Sequence, residues 1–397
     1  MKNIKKILAV IMASAMVFSL AACGSKDDSD TSSSSDDSAT TDEAAGKDEV
    51  FLIGGIGPLT GAAASYGTSV KQGAQIAIDE INAAGGVTVG DTTYTFQLEF
   101  ADDEASEEKS PQAYNSLMDK GIDVLMGCVT SGASIAISDL TYADGILQIS
   151  PSGSAEDVIA NDNAFRICFS DPEQGTAMAD YAVNDLGLKN IAVVYNASDE
   201  YSTGIQAAFE EEVADLGGTI VASEAFNNGD VDFNTQLTKI KGTDADAIYV
   251  PAYYQDATYI TKQAKDMGID VQFLGSDGWD GVLGTVTDES TVEGCIFTSP
   301  FCASVDQENV VAFVEAYEAA YDATPDQFAA DGYDVVYTFK AAMEQAGSID
   351  DADMIAAMTE ITVAGLTGDE ITFDASGAPV KEVKFVTVKD GGYEYAE

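Results

Sequence analysis

Short apolar runs ending in loops of small residues, each loop followed by a helix-compatible stretch, recur along this chain and limit what it can fold into. The unit is clearest over residues 124–157, VLMGCVTSGASIAISDLTYADGILQISPSGSAED. Val124-Leu125-Met126 runs into Thr130-Ser131-Gly132-Ala133-Ser134, a helical segment follows, and a second apolar run at 146–149 ends in Ser150-Pro151-Ser152-Gly153-Ser154. Buried parallel strands read as continuous apolar runs, and their alternation with helical patterns predicts parallel sheets covered by helices, an α/β fold. In an open α/β sheet, ligands bind outside the carboxyl ends of the strands, where such loops lie. Both loops carry hydroxyls and lead toward a predicted helix start. There the first N–H groups lack partners and the dipole is positive, so the pair suits an anion. The same serines would equally serve as plain N-caps.

The unit is not confined to this stretch. Val50-Phe51-Leu52-Ile53 predicts a first strand, which leads through a glycine-rich loop and Ser65-Tyr66-Gly67. The following helix carries Val70, Ala74, Ala77, Ile78 and Ile81 on one face and stops at Gly85-Gly86. Tyr94, Phe96, Leu98 and Phe100 alternate with polar residues, the period of a strand. Further strands are expected at 191–195, 247–250 and 271–274, the first two followed by helices and the last by Gly275-Ser276-Asp277-Gly278-Trp279. Ser170-Asp171-Pro172 interrupts the pattern between the two sets of units. After Pro300 come two long helical stretches, 308–321 and 328–345, with no strand between them. A strand at 370–374, a run at 383–388 and a hairpin turn at Asp390-Gly391-Gly392 end the chain.

The N-terminus stands apart from this pattern. Lys2, Lys5 and Lys6 precede an apolar stretch, 7–20, too short for an ordinary membrane span, and Leu20-Ala21-Ala22-Cys23-Gly24 follows. Small residues before a cysteine resemble a bacterial lipobox, so residues 1–22 are expected to be a lipoprotein signal peptide and Cys23 the lipidated first residue. Residues 23–48 are rich in Ser, Thr, Asp and Ala and cannot bury enough surface to fold; they read as a flexible tether. Its reach is on the order of 25–30 Å. The remaining body, about 350 residues, exceeds what one core normally serves, so two lobes are expected. They are drawn as 49–170 with 301–363, and 171–300 with 364–397.

Acidic residues outnumber basic ones 68 to 18, which argues against nucleic acid as a partner. With no histidine, Ser–His–Asp, Cys–His and HExxH chemistry are excluded, and no GxxxxGK[ST] phosphate loop occurs. Gly55, Gly57 and Gly61 only weakly resemble a dinucleotide fingerprint, the third glycine being one place late. Neither cofactor nor metal is expected. Cys128, Cys168, Cys295 and Cys302 allow several disulfide pairings between which sequence does not choose. Cys295 and Cys302 would be too far apart to bond if the run between them is extended. Binding is better supported than catalysis. The strand-end loops supply Tyr66, Ser131, Ser152, Ser154, Tyr201, Tyr253, Asp277 and Trp279. Hydroxyls and N–H groups hold a carboxylate, an aspartate holds an ammonium, and aromatic rings enclose an apolar side chain. Together they describe an α-amino acid; singly, each aromatic is equally core filler and Asp277 a cap or surface charge.

GIGPLTGAAASYG with GAQIAIDEINAAGG, FADDEAS, VLMGCVTSGASIAISD, ILQISPSGSAED, NASDEYSTGI, YVPAYYQDA, FLGSDGWDG and LTGDEITFDASG occur in this order. From 49 to 388 the chain resembles the leucine/isoleucine/valine-binding lipoproteins of ABC importers. The resemblance implies a type I periplasmic-binding-protein fold: two lobes, each a mainly parallel sheet flanked by helices, three hinge crossovers, and ligand in the cleft. It places the carboxylate-binding serine at Ser131 and a second ligand loop at Ser152 and Ser154. The aromatic lining falls on Tyr66, Tyr201 and Tyr253, and the ammonium-binding acid on Asp277. Ser154 stands where threonine is common, Asp277 where some members have glutamate, and Glu104-Ala105 and Thr130 occupy the region of a disulfide found in some members. Trp279 is expected to narrow the cleft. The implied function is capture of an aliphatic L-amino acid by a monomer, tethered to the bilayer through Cys23, and delivery to the membrane permease of an ABC importer. The rivals are a sensory module presenting ligand to a signalling protein and an extracellular acid-pair enzyme.

Overall fold

The computed structural model describes residues 47–396. The expected signal peptide, Cys23 and tether lie outside the described residues, apart from the tether's last two positions, which begin the first strand. Two sheets carry the described chain. The first is built from β1 (Lys47–Gly57), β2 (Val87–Val89), β3 (Thr92–Asp102), β4 (Val124–Met126), β5 (Gln148–Ser150) and β6 (Ala164–Arg166), in the order β2-β3-β1-β4-β5-β6. All neighbours are parallel except the β2–β3 hairpin. Helices α1 (Ala64–Ala83), α2 (Ser110–Met118) and α3 (Ser131–Asp144) connect its strands. β4, β5 and β6 are buried throughout; β4 is a short unbroken apolar run, whereas Gln148, Ser150 and Arg166 put buried polar side chains into β5 and β6.

α4 (Asp171–Asp180) opens the second half, its start fixed by a capping box between Ser170 and Glu173. β7 (Asn190–Asn196), α5 (Glu200–Asp215), β8 (Thr219–Phe226), α6 (Asn234–Lys241), β9 (Ala247–Val250), α7 (Tyr254–Asp266), β10 (Gln272–Gly275) and β11 (Ile296–Thr298) follow. α8 (Glu308–Tyr321), α9 (Gln327–Ala346) and α10 (Asp351–Ala357) come next, then the small β12 (Thr372–Phe373) and β13 (Pro379–Val380) pair, and finally β14 (Phe385–Lys389) and β15 (Gly392–Tyr395). The second sheet has the order β15-β14-β11-β10-β9-β7-β8, parallel from β8 to β11 and antiparallel at β14 and β15. Sequence reading misses β8: it is a half-exposed edge strand whose apolar residues are interrupted by Ser223 and Glu224.

α8 and α9 return to the first sheet, although they follow the second in sequence. α9 lies so close to α1 that a Cβ on Gly73 would stand 1.8 Å from the Ala329 carbonyl oxygen, and one on Gly332 would stand 2.3 Å from that of Val70. Only glycine permits this approach, and the approach sets where Gln327 and Phe328, at the start of α9, lie relative to α1. Residues 363–380 stay with the same body. The Asp334 carboxylate accepts the N–H groups of Leu366 and Thr367, Arg166 N–H donates to the Gly377 carbonyl, and Phe373 packs edge-on to Phe165. The last passage to the second sheet therefore falls between Val380 and Phe385, downstream of the expected Val363-Ala364, because these bonds hold the intervening segment in place. Cys128, Cys168, Cys295 and Cys302 are all buried free thiols.

Candidate functional site

Every parallel strand that contributes to the site does so from the loop or helix start after its carboxyl end. β1 leads to Tyr66, β4 to Ser131, β5 to Ser152, β7 to Tyr201, β9 to Tyr253 and β10 to Asp277. These six residues line one cavity between the two sheets, together with Val129, Thr130, Gly278 and Phe328. Ser154 and Trp279 do not line it. Phe328 was not anticipated: it comes from α9, far along the chain, and no local pattern ties it to the loops.

On the first-sheet side the serines bind the two loops to each other. Ser131 Oγ accepts the backbone N–H groups of Ser154 and Ala155 at 3.1 and 3.2 Å, and Ser152 Oγ donates to the Val129 carbonyl at 2.7 Å. A hydroxyl has one proton and two lone pairs. Ser131 therefore keeps its proton free to donate, whereas Ser152 keeps only acceptor capacity. Thr130, the N-cap of α3, makes no side-chain bond to the first turn, so the helix start faces the cavity without a side-chain cap. Sequence predicts a second helix start after Ser154; the structure has only a single 3-10 turn at Glu156–Ile159, because β6 begins too soon for a helix to form. Ser154 is buried behind Ser131. Its carbonyl accepts from the Arg166 guanidinium and from Asp171 N–H, and its hydroxyl has no hydrogen-bond partner.

The second-sheet side carries the charge. Tyr201 Oη donates to Asp277 Oδ1 at 2.6 Å, lies 2.6 Å from Ser276 Oγ and accepts from Gly278 N–H at 2.9 Å. Asp277 N–H donates to Gln174 Oε1 at 3.0 Å, and the Gln327 side-chain amide donates to the Asp277 carbonyl at 2.6 Å. Asp277 is 4 % exposed, and burial pushes its carboxyl up to about 6 against the opposing hydrogen bonds from Tyr201 and Gln174. Tyr253 stacks on Tyr201 with ring centroids 5.1 Å apart, and Tyr66 packs on Phe328 at 4.1 Å. Trp279 does not narrow the cleft as expected. Residues 277–279 form one 3-10 turn that sends Asp277 and Gly278 to the cavity and returns the indole to the core. There it is fully buried, and its Nε1–H donates to the Val250 carbonyl at 2.8 Å.

The two sides touch. Tyr66 Oη donates to the Gly278 carbonyl and accepts from Tyr254 N–H at 3.2 Å. The cavity between them is about 10 Å³, near the volume needed by one water molecule. Outside it, a larger space sharing Thr130 and Tyr253 is ringed by Glu104, Glu107, Asp199, Asp230 and Asp256. Burial pushes Asp199 to about 6 and Asp256 to about 7, with neighbouring carboxylates adding to both. Glu104 and Ala105 hold positive φ angles of 54° and 53°, stabilised by their N–H bonds to the side chains of Asp102 and Asp103.

Comparison with known proteins places the chain. The family described as periplasmic binding protein matches residues 51–393. The chain belongs to that family. It is 33% identical over 306 residues to the Leu/Ile/Val-binding protein BraC3 of Rhizobium johnstonii, covering 77% of this chain and 82% of that one. It is 31% identical over 308 residues to Leu/Ile/Val-binding protein homolog 3 of Brucella melitensis, covering 77% and 81%. Among solved structures, the branched-chain amino acid transporter substrate-binding protein LivJ of Streptococcus pneumoniae, in complex with isoleucine, superposes with a TM-score of 0.80 at 31% identity, over 87% of this chain and 99% of that one. The α/β architecture is that of the type I periplasmic binding proteins.

Proposed function

We propose that this periplasmic binding protein captures an aliphatic L-amino acid between its two sheets and delivers it to the permease of an ABC importer. One observation carries the reading. The open start of α3, with the free proton of Ser131, faces the Tyr201–Asp277 pair across a cavity walled by Tyr66, Tyr253 and Phe328. A carboxylate fits the first side and an ammonium the second, and the rings leave an apolar lining for the side chain. The relatives named for Leu, Ile and Val binding support the same class. The family is one of solute-binding proteins, which supports binding rather than catalysis at this site.

Ligand enters only when the sides separate, because the touching arrangement leaves room for about one water. Tyr66 holds them together through Gly278 and Tyr254, so ligand and closure favour each other. The hinges are the three passages between the sheets, near Ser170, near Pro300 and at 381–384. The body works outside the cytoplasm as a monomer anchored through Cys23; Cys23→Ser is expected to release it from membranes.

Calorimetry with the common amino acids is the test, with heat expected for at least one of leucine, isoleucine and valine. Silence from all of them removes the proposal. Mass spectrometry after incubation should return the ligand unchanged; conversion would identify an enzyme instead.

A further inference from the structure

A second cavity, of about 770 Å³, shares no lining residue with the candidate site. The first turn of α1, α8 and the loop before α9 bound it on one side. The 280–284 loop and the β14–β15 turn bound it on the other. Leu283, Phe301, Val314, Tyr317 and Tyr393 make much of its wall apolar, and no lysine or arginine lines it.

Its acidic groups are Asp280, Asp326 and Glu318. Asp280 is 3 % exposed; Oδ2 accepts Gln327 N–H at 2.8 Å, while Oδ1 is buried with no hydrogen-bond partner. Asp326 is satisfied, accepting from Ser69 Oγ at 2.7 Å and from Ala329 N–H at 3.0 Å. Ser65 Oγ, also on the cavity wall, is a second buried polar atom without a partner. Burial and then the neighbouring Asp326 push Asp280 up to about 8, which reflects the cost of a second negative charge here without a cation.

We propose that this cavity is a second binding site, which takes a small organic cation: a primary ammonium on an apolar body. The ammonium would donate to the free Asp280 Oδ1 and to Ser65 Oγ, and the apolar body would lie among the aromatic side chains, which also favour a cation. A bare metal ion fits poorly, since among the described residues no group of three or more cysteines or carboxylates is placed to hold one. The two sites are linked through one residue. Gln327 gives its backbone N–H to Asp280 and its side-chain amide to the carbonyl of Asp277. A cation that fixes Asp280 also fixes the bridge between the two bodies, so each occupant raises the affinity of the other by the same factor.

Phenethylamine and its neutral counterpart phenethyl alcohol are the probes, titrated calorimetrically into the purified protein. The amine is expected to bind at least about tenfold more tightly than the alcohol. Asp280→Asn should bring the amine down to the level of the alcohol, and Val314→Arg, which fills the cavity with a cation, should abolish its binding. Asp277→Asn should retain amine binding. Equal affinity for the two probes, no saturable heat with the amine, or a folded Asp280→Asn variant with unchanged affinity would each overturn the proposal. So would loss of the amine in Asp277→Asn but not in Asp280→Asn, which would place it in the candidate site. None of these outcomes depends on which amino acid the candidate site takes.

Discussion

The two walls of the cleft are built on different principles. The first-sheet wall is neutral and cross-linked: Ser131 and Ser152 bond its loops together before any ligand arrives, leaving the Ser131 proton and the start of α3 open. The second-sheet wall holds a buried carboxylate, Asp277, whose charge is only partly offset by Tyr201 and neighbouring amides. A neutral wall whose loops bond to each other fixes geometry at little cost. A wall that buries an unneutralised charge is unfavourable until a cation reaches it, and so gives the ligand more of its binding energy. Substitutions should therefore separate the two walls, the acid governing affinity and the serines governing order.

The largest effect is expected at Asp277. Asp277→Ala leaves a ligand ammonium without its counter-charge and should cost about 3–5 kcal/mol of binding, measured by calorimetry with isoleucine. The ligand-free variant should melt no lower than the parent, since a desolvated charge has been removed; a clear drop in melting temperature would break the contrast between the walls. Ser131→Ala should do the reverse. It strands the buried N–H groups of Ser154 and Ala155, and the free protein should lose about 1–3 kcal/mol in denaturant titration.

The raised acids set a pH trend. Asp103, Asp199, Asp277 and Asp326 are pushed to about 6, Asp256 to about 7 and Asp280 to about 8, chiefly by burial. In the unfolded chain such groups titrate near 3.9. Between those values the folded state holds more protons, so the stability of the ligand-free protein should fall as pH rises from about 5 to about 8. Asp102 and Asp374 are lowered by hydrogen bonding and lose their contribution only below their unfolded values, outside that window. Ligand binding has the opposite sign: an ammonium needs the ionised Asp277, so affinity should weaken as pH drops below about 6. A stability curve that rises toward pH 8 would show that the acids are not desolvated.

Ser152→Ala is a smaller test: one neutral hydrogen bond between the loops disappears, so the free protein should lose about 1 kcal/mol of stability while affinity falls far less than in Asp277→Ala. An affinity loss as large as that of Asp277→Ala would mean the walls share the load. The smallest effect concerns Trp279. Its indole is fully buried and bonded to Val250, so acrylamide should quench it poorly, with or without ligand. Ligand-dependent quenching would place the ring in the cleft after all.

What the sequence determined by itself is local and periodic. Apolar runs marked β4 and β9, and runs interrupted only by Gln148 and Gln272 marked β5 and β10, because strands buried on both faces need them. Helical periodicity marked α1, α8 and α9, and the loops after the strands supplied Tyr66, Ser131, Ser152, Tyr201, Tyr253 and Asp277, because that topology exposes strand ends. The tertiary structure decided what depends on contacts between distant segments. Phe328 and Gln327 reach the site only because Gly73 and Gly332 let α9 pack tightly on α1. A single 3-10 turn separates Asp277, which faces the cavity, from Trp279, which does not. The direction in which each serine hydroxyl points is likewise set by the partner loop, and no spacing of residues along the chain encodes it.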